Sequence, residues 1–193
     1  HGYEESDCVA AIDAGFTSVM FDGSKLSLAD NIDRTRAIAD MAHAAGVSCE
    51  GEIGFVGYAA GAESKGTDPG EAAEFARETG VDAMAISVGN MHLQTGAGNG
   101  LDEDRIRAIE AVTSVPLVIH GGSGVPHGQR AALARSSSIC KFNIGTELRQ
   151  VFGSALRKTL ADDPALFDRA QILSRIEAPI RNATVAVLRS LGD

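Results

Sequence analysis

The side chains of this chain that can bind a cation or cradle an anion gather in a few short segments. His120 closes the apolar run Pro116-Leu117-Val118-Ile119 and is followed at once by Gly121-Gly122-Ser123-Gly124. A histidine at the end of a buried strand can bind a metal through its neutral imidazole. Glycines beside it let backbone N–H groups close on an anion without interference from side chains. The same residues also suit a plain strand-to-helix turn, with glycine for its dihedrals and His120 capping a core. Asp22, Glu52, His92 and Asn143 fall at or near the carboxyl ends of other predicted strands, and in parallel α/β folds that end of the sheet holds the active site.

Three of these positions invite a metal. An open catalytic zinc site needs three protein ligands and one free position, and His1, His92 and His120 supply that number. They are far apart in the chain, so only a closed barrel or a twisted sheet can bring them together. Asp22 and Glu52 suit a second cation position or the orientation of the ligands. Plainer readings stand beside these. Asp22-Gly23 is also a turn, and Glu50 and Glu52 share one strand face, where either can pair with an interior cation. His43, mid-helix, and His127, at a helix start, read as structural and solvent-exposed. For an anion, Gly121–Gly124 and Asn143-Ile144-Gly145-Thr146 each lead into a helix N-terminus, where free N–H groups and the helix dipole favour negative charge. Phosphate sites of barrel enzymes commonly lie between the last two such loops.

The elements that must position these residues alternate. The patterning predicts helices over 3–14, 27–45, 69–80, 102–112, 126–135, 147–160 and 175–190, and strands over 16–21, 47–53, 82–88, 116–119 and 139–142. A strand and a helix every 30 residues or so is the βαβ unit of a parallel sheet. Residues 54–65 are rich in glycine and alanine without periodicity and read as a mobile surface loop; a second glycine-rich loop spans 96–100.

Composition bounds the function. With 193 residues, 44% of them hydrophobic, the chain suits a single domain over residues 1–193 with a sizeable core. A net charge of −9 argues against a nucleic-acid binder or a basic membrane-surface protein. Cys8, Cys49 and Cys140 form no CxxC or disulfide framework and suit a reducing cytoplasm. No signal peptide or membrane-spanning run is visible.

Taken together, these segments resemble the class II, metal-dependent ketose-bisphosphate aldolases over essentially the whole chain. The matching stretches are His1-Gly2, Ser18–Ser24, Cys49-Glu50-Gly51-Glu52-Ile53-Gly54, Thr79–Asp82, Gly89-Asn90-Met91-His92, His120–Gly124 and Lys141-Phe142-Asn143. The resemblance implies a (β/α)8 TIM barrel with catalytic zinc on His1, His92 and His120, and a second divalent or monovalent cation near Asp22 and Glu52. It assigns Asn143 to holding the enediolate, and Gly121, Gly122, Ser123, Gly145 and Thr146 to the phosphate.

Departures from the family pattern sharpen the expectation. The acid/base aspartate that precedes the first zinc histidine is not in this chain, nor are three upstream strands. A barrel usually takes about 250 residues, so an N-terminal portion is expected outside the sequence given. The family's proton-abstracting glutamate has only Glu63 as its counterpart here, slightly out of place. Leu93-Gln94-Thr95-Gly96 follows His92 where the family has glycine and then lysine, and Ala165 follows Asp163-Pro164 where it has arginine. The expected function is a zinc-dependent, cytoplasmic lyase of carbohydrate metabolism or glycolysis. It would cleave a phosphorylated ketose to dihydroxyacetone phosphate and an aldehyde, as a homodimer or homotetramer. The alternatives are an aldolase for a different ketose phosphate and a non-catalytic phosphosugar-binding subunit of the same fold.

Overall fold

The computed structural model describes residues 1–59, 61, 63–96 and 98–192. Ala60, Ala62 and Ala97, which fall in the two glycine-rich loops, and Asp193 lie outside the described residues. The order of elements is α1 (Glu5–Asp13), β1 (Ser18–Phe21), α2 (Leu28–Ala44), β2 (Ser48–Ile53), α3 (Pro69–Thr79), β3 (Ala83–Ile86), α4 (Glu103–Glu110) and β4 (Leu117–Ile119). A single 3-10 turn (Gly122–Gly124), α5 (His127–Ser136), β5 (Ile139–Phe142), α6 (Thr146–Asp162) and α7 (Arg169–Gly192) complete it. Local chemistry sets the helix starts. Ser27 accepts the Asp30 N–H ahead of α2, Asp68 accepts from Gly70 and Glu71 with Pro69 at the first position of α3, and Asp102 accepts from Arg105.

The strands pair in parallel and in chain order, β1-β2-β3-β4-β5. Their side chains alternate between two unlike faces. Val19, Phe21, Cys49, Ile53, Met84, Ile86, Leu117 and Ile119 join the buried residues of the helices, such as Ile38, Phe75, Ile106 and Leu133, in one large apolar cluster. The other face has only a small apolar patch, Met20, Ala85 and Val118, and it carries the buried polar side chains Glu50, Glu52 and His120. The Pro116–Ile119 run is therefore not uniformly core.

One irregularity matters for the site. Leu117 pairs with Ile139 but Val118 pairs with Lys141, so Cys140 is an extra residue in β5. A bulge re-aims the side chains that follow it. Here Ile139 stays in the apolar cluster while Lys141 lies opposite Val118 and reaches Glu50. The described residues at the two ends of the 54–65 loop are tied to each other, against expectation. Phe55 and Lys65 exchange N–H···O bonds of 2.8 and 2.9 Å, and Gly57 N–H donates to Ser64 Oγ at 3.0 Å. Its partners are scattered in the sequence, which is why it shows no periodicity. The last helix begins at Arg169 rather than 175 and contains Pro179. Among the described residues, no helix is long and apolar enough to cross a membrane.

Candidate active site

The first histidine is placed by its neighbour. Gly2 extends the sheet beside β1, donating to Met20 O at 2.8 Å and accepting from Asp22 N at 2.9 Å. His1 is thereby carried to the end of β1, with Nε2 3.2 Å from Asp22 Oδ2. The other Asp22 oxygen accepts from the Ser24 amide and hydroxyl at 3.1 and 2.6 Å, so the Asp22-Gly23-Ser24 turn aims Oδ2 at His1. His120 follows β4 directly and is fully buried. Its ring lies 5.7 Å from that of His1 and 5.9 Å from that of His92. His92 is held by main-chain bonds to the 54–65 loop (His92 N to Gly57 O, 2.8 Å; Ala59 N to His92 O, 3.0 Å). The Tyr58 ring packs on it at 5.1 Å. The buried Asn90 ties the two loops together, donating to Ile86 O and His120 O and accepting from Val88 N.

The electrostatics centre on His120. Its Nε2 is 2.9 Å from Glu50 Oε1 and its Nδ1 is 3.1 Å from Glu52 Oε2. Burial opposes its charge, but the two carboxylates outweigh burial and raise it to about 9. Burial also works against the Glu50 carboxylate, yet hydrogen bonds from His120 and Lys141 hold it below the ordinary value. Glu52 is raised, chiefly by burial. His92 is lowered, by burial and then by the charge on His120. Burial and the neighbouring Tyr58 push Tyr3 up to about 12.

Among the described residues, no group of three or more His, Cys, Asp or Glu side chains stands ready as placed to hold a metal. His1 Nε2 is turned to Asp22 and His120 Nε2 to Glu50. The donor set itself fits a cation. His120 Nδ1 and Glu52 Oε2 face each other across 3.1 Å, both buried and neither in an aligned hydrogen bond. Buried polar atoms left in this state are costly unless something pairs with them. Two further imidazoles stand at the rim of the same pair.

Beside the histidines lies a cleft of about 560 Å³, lined by His92, Gly121, Ser123, Asn143, Gly145 and Thr146. Its two loops are joined by the Gly122 N–H, which donates to Asn143 O at 2.9 Å. That amide is therefore used inside the protein, whereas the amides of Gly121, Ser123, Gly145 and Thr146 make no main-chain hydrogen bond among the described residues. Gly121 needs to be glycine, because its φ is +65° and a Cβ there would lie 2.3 Å from Met91 O. Lys141 and Arg149 also line the cleft, and Arg149 Nη2 donates to Thr146 Oγ1 at 3.2 Å.

The structure thus brings together His1, His92, His120, Asp22 and Glu52 at one point, and Gly121, Ser123, Asn143, Gly145 and Thr146 beside it. Glu63 is exposed on its loop, and the cleft lining does not include it. Glu50 is the strand carboxylate that pairs with a cation, but that cation is the half-exposed Lys141 of the cleft rather than an interior one, and Glu50 also pairs with His120. The basic side chains of the cleft escaped the sequence reading, although both are signalled by spacing. Lys141 lies two residues before Asn143 on the same strand face, and Arg149 lies one helical turn after Gly145.

The sequence model of Fructose-bisphosphate aldolase class-II matches residues 1–193. The chain belongs to this family. Fructose-bisphosphate aldolase of Geobacillus stearothermophilus is 36% identical over 198 residues, covering 100% of this chain and 68% of the relative. The 6-phospho-5-dehydro-2-deoxy-D-gluconate aldolase of Shouchella clausii is 38% identical over 197 residues, covering 100% and 66%. The crystal structure of the YdjI aldolase from Escherichia coli K12 superposes with a TM-score of 0.81 at 28% identity, covering 100% of this chain and 66% of that one. Fructose-bisphosphate aldolase from Campylobacter jejuni shares the fold, with a TM-score of 0.71 at 22% identity and coverage of 97% and 64%. The parallel α/β sheet is thus that of TIM-barrel class II aldolases, and the chain spans about two thirds of the length of these relatives. The family is one of lyases, and its members are generally metal-dependent.

Proposed function

We propose that this chain carries the metal and phosphate sites of an aldolase that reversibly cleaves a phosphorylated ketose to dihydroxyacetone phosphate and an aldehyde. One observation carries the reading: the rings of His1 beside the end of β1, His92 in the loop after β3 and His120 directly after β4 lie within 6 Å of one another at their nearest pairs, beside a cleft lined by backbone amides that make no main-chain hydrogen bond among the described residues. His1, His92 and His120 would hold a zinc ion, with Asp22 and Glu52 orienting them or serving a second cation. When bound there, zinc supplies Lewis-acid polarisation of the ketone carbonyl.

The protein's own groups do the rest. The Gly121, Ser123, Gly145 and Thr146 amides, at the turn after β4 and the α6 N-terminus, donate to the phosphate oxygens with help from Lys141 and Arg149. Gly122 joins the two loops instead of touching the anion. Asn143 reaches the reacting half of the substrate from the end of β5 and donates its side-chain amide to the oxygen where negative charge develops. For the proton on the ketone half we propose Glu63, which stands on the loop whose Tyr58 packs against His92. Three free cysteines suit a cytoplasmic protein, and we propose a homodimer or homotetramer there.

A related ketose phosphate is the second reading for the substrate. Relatives of nearly equal identity carry the names of two different substrates, fructose bisphosphate and 6-phospho-5-dehydro-2-deoxy-D-gluconate. The test is elemental analysis of the purified protein together with a coupled assay for dihydroxyacetone phosphate on both substrates. About one zinc per chain, and cleavage that chelation abolishes, is the expected result. Full cleavage after exhaustive chelation refutes the reading, and phosphosugar binding without cleavage by a protein that also carries the expected upstream aspartate favours the non-catalytic subunit.

A further inference from the structure

We infer that Arg130 is a positioning residue of the anion cleft, which neutralises Glu147 so that the first turn of α6 meets a phosphate with donors alone. The inference rests on the phosphate site proposed above.

Arg130 lies on α5 and is fully buried. Its Nη1 donates to Gly122 O at 3.2 Å and to Glu147 Oε1 at 2.6 Å. One guanidinium thus grips both walls of the cleft, the turn after β4 and the start of α6. Glu147 is the second residue of α6, adjacent to Thr146, and its own N–H donates to Ser123 Oγ at 3.3 Å. A carboxylate in this turn suits the helix dipole; Glu147 does not itself line the cleft, but its charge lies one residue from Thr146, whose amide is proposed above to bind the anion. Like charges at close range in a partly desolvated site cost binding. The exposed His127 ring, 3.7 Å from Glu147 Oε2, is the only other basic group in salt-bridge range of that carboxylate among the described residues.

Packing alone does not account for Arg130. Its Nε and Nη2 are buried without a hydrogen-bond partner, and a buried ion pair is often replaced by apolar side chains at no loss of stability. The position therefore spends stability to keep a positive charge at Glu147.

The experiment measures binding of inorganic phosphate, dihydroxyacetone phosphate and unphosphorylated dihydroxyacetone to the zinc-loaded full chain by titration calorimetry. Arg130→Met should weaken both phosphorylated probes by roughly tenfold or more, as truncating one member of a buried charge pair does. The double variant Arg130→Met/Glu147→Gln should recover to within about threefold of the parent, because the repulsive charge is gone. Glu147→Gln alone should bind phosphate at least as tightly as the parent. Dihydroxyacetone should move less than about twofold in every variant, since uniform damage to the site would shift it equally. A double variant no better than the single one, or parallel loss of dihydroxyacetone, overturns the inference. Should Arg130→Met not fold, weaker phosphate binding by Glu147→Gln overturns it by itself, because a purely structural pair predicts that loss. A parent protein that ignores phosphate while binding zinc refutes the cleft assignment, and the role of Arg130 with it.

Discussion

Replacing Gly121 by alanine should disable the site while leaving the fold standing. Gly121 has φ +65°, where a side chain costs about 1–2 kcal/mol. The added Cβ would lie 2.3 Å from Met91 O, 2.6 Å from Met91 C and 3.2 Å from His92 N. All three are backbone atoms, so no side-chain rotation relieves the contact. Ordinary carbon contacts begin near 3.5 Å, so the 91–92 segment must withdraw by roughly 1 Å. Forcing an extra methyl into packed surroundings adds about 1–3 kcal/mol. The sum, about 2–5 kcal/mol, lies below or within the ~5–15 kcal/mol that holds a typical domain together. The displacement falls on His92, whose main chain is held by Gly57 and Ala59 on its other side. A shift of about 1 Å in a site of this kind costs on the order of a hundredfold in turnover. The assay pairs thermal melting and zinc stoichiometry with the coupled cleavage reaction. Gly128→Ala is the control, since its Cβ meets nothing within 4 Å and α5 should gain up to about 1 kcal/mol. Gly121→Ala protein with parental zinc content and turnover would refute the reasoning.

Three shorter predictions follow from other contacts. His92→Ala should remove zinc and cleavage together, with little change in melting temperature, because His92 is only partly buried; retained zinc by elemental analysis would exclude it as a ligand. Lys141→Met should weaken dihydroxyacetone phosphate by about tenfold at low salt and by less at high salt, which calorimetry at two ionic strengths checks. Asp82 accepts from Cys49 N at 2.7 Å and lies 2.8 Å from His43 Nε2. Burial opposes its charge, but those contacts outweigh burial and hold its carboxyl below the ordinary 3.8. A depressed folded value means that the charge stabilises the fold above pH 3.8 and loses that effect as pH falls through the folded value. Asp82→Ala should therefore lower stability by about 1 kcal/mol at neutral pH. The gap in melting temperature should narrow on acidification below 3.8, and an unchanged gap would show that charge plays no part.

Element type and order could be read from the chain because they depend on local chemistry. Ser27, Asp68 with Pro69, and Gly80 mark helix ends by interactions within a few residues, and they do so in the structure. The strand-end positions of Asp22, His92, His120 and Asn143 followed from the same alternation. Which groups share a contact could not be read in this way. Glu50 and Glu52 sit two apart on one strand face, and periodicity treats them alike. The structure separates them, because His120 lies between both carboxylates whereas Lys141 arrives from β5 and pairs with Glu50, leaving Glu52 Oε2 opposite His120 Nδ1 at 3.1 Å without an aligned hydrogen bond. The reach of Lys141 toward Glu50 depends on one extra residue, Cys140, whose bulge appears only when β5 is laid against β4. The 54–65 loop read as mobile because its anchors, Ser64, Lys65 and His92, obey no local period. Likewise Gly122 and Gly121 look equivalent in the sequence. Only the approach of Asn143 to one and of Met91 to the other shows that the first joins two loops and the second sets the distance between them. Short-range capping and alternation are written in neighbouring residues, but partners across the sheet are chosen by packing between residues 21 to 91 positions apart, and that choice exists only once the chain is folded.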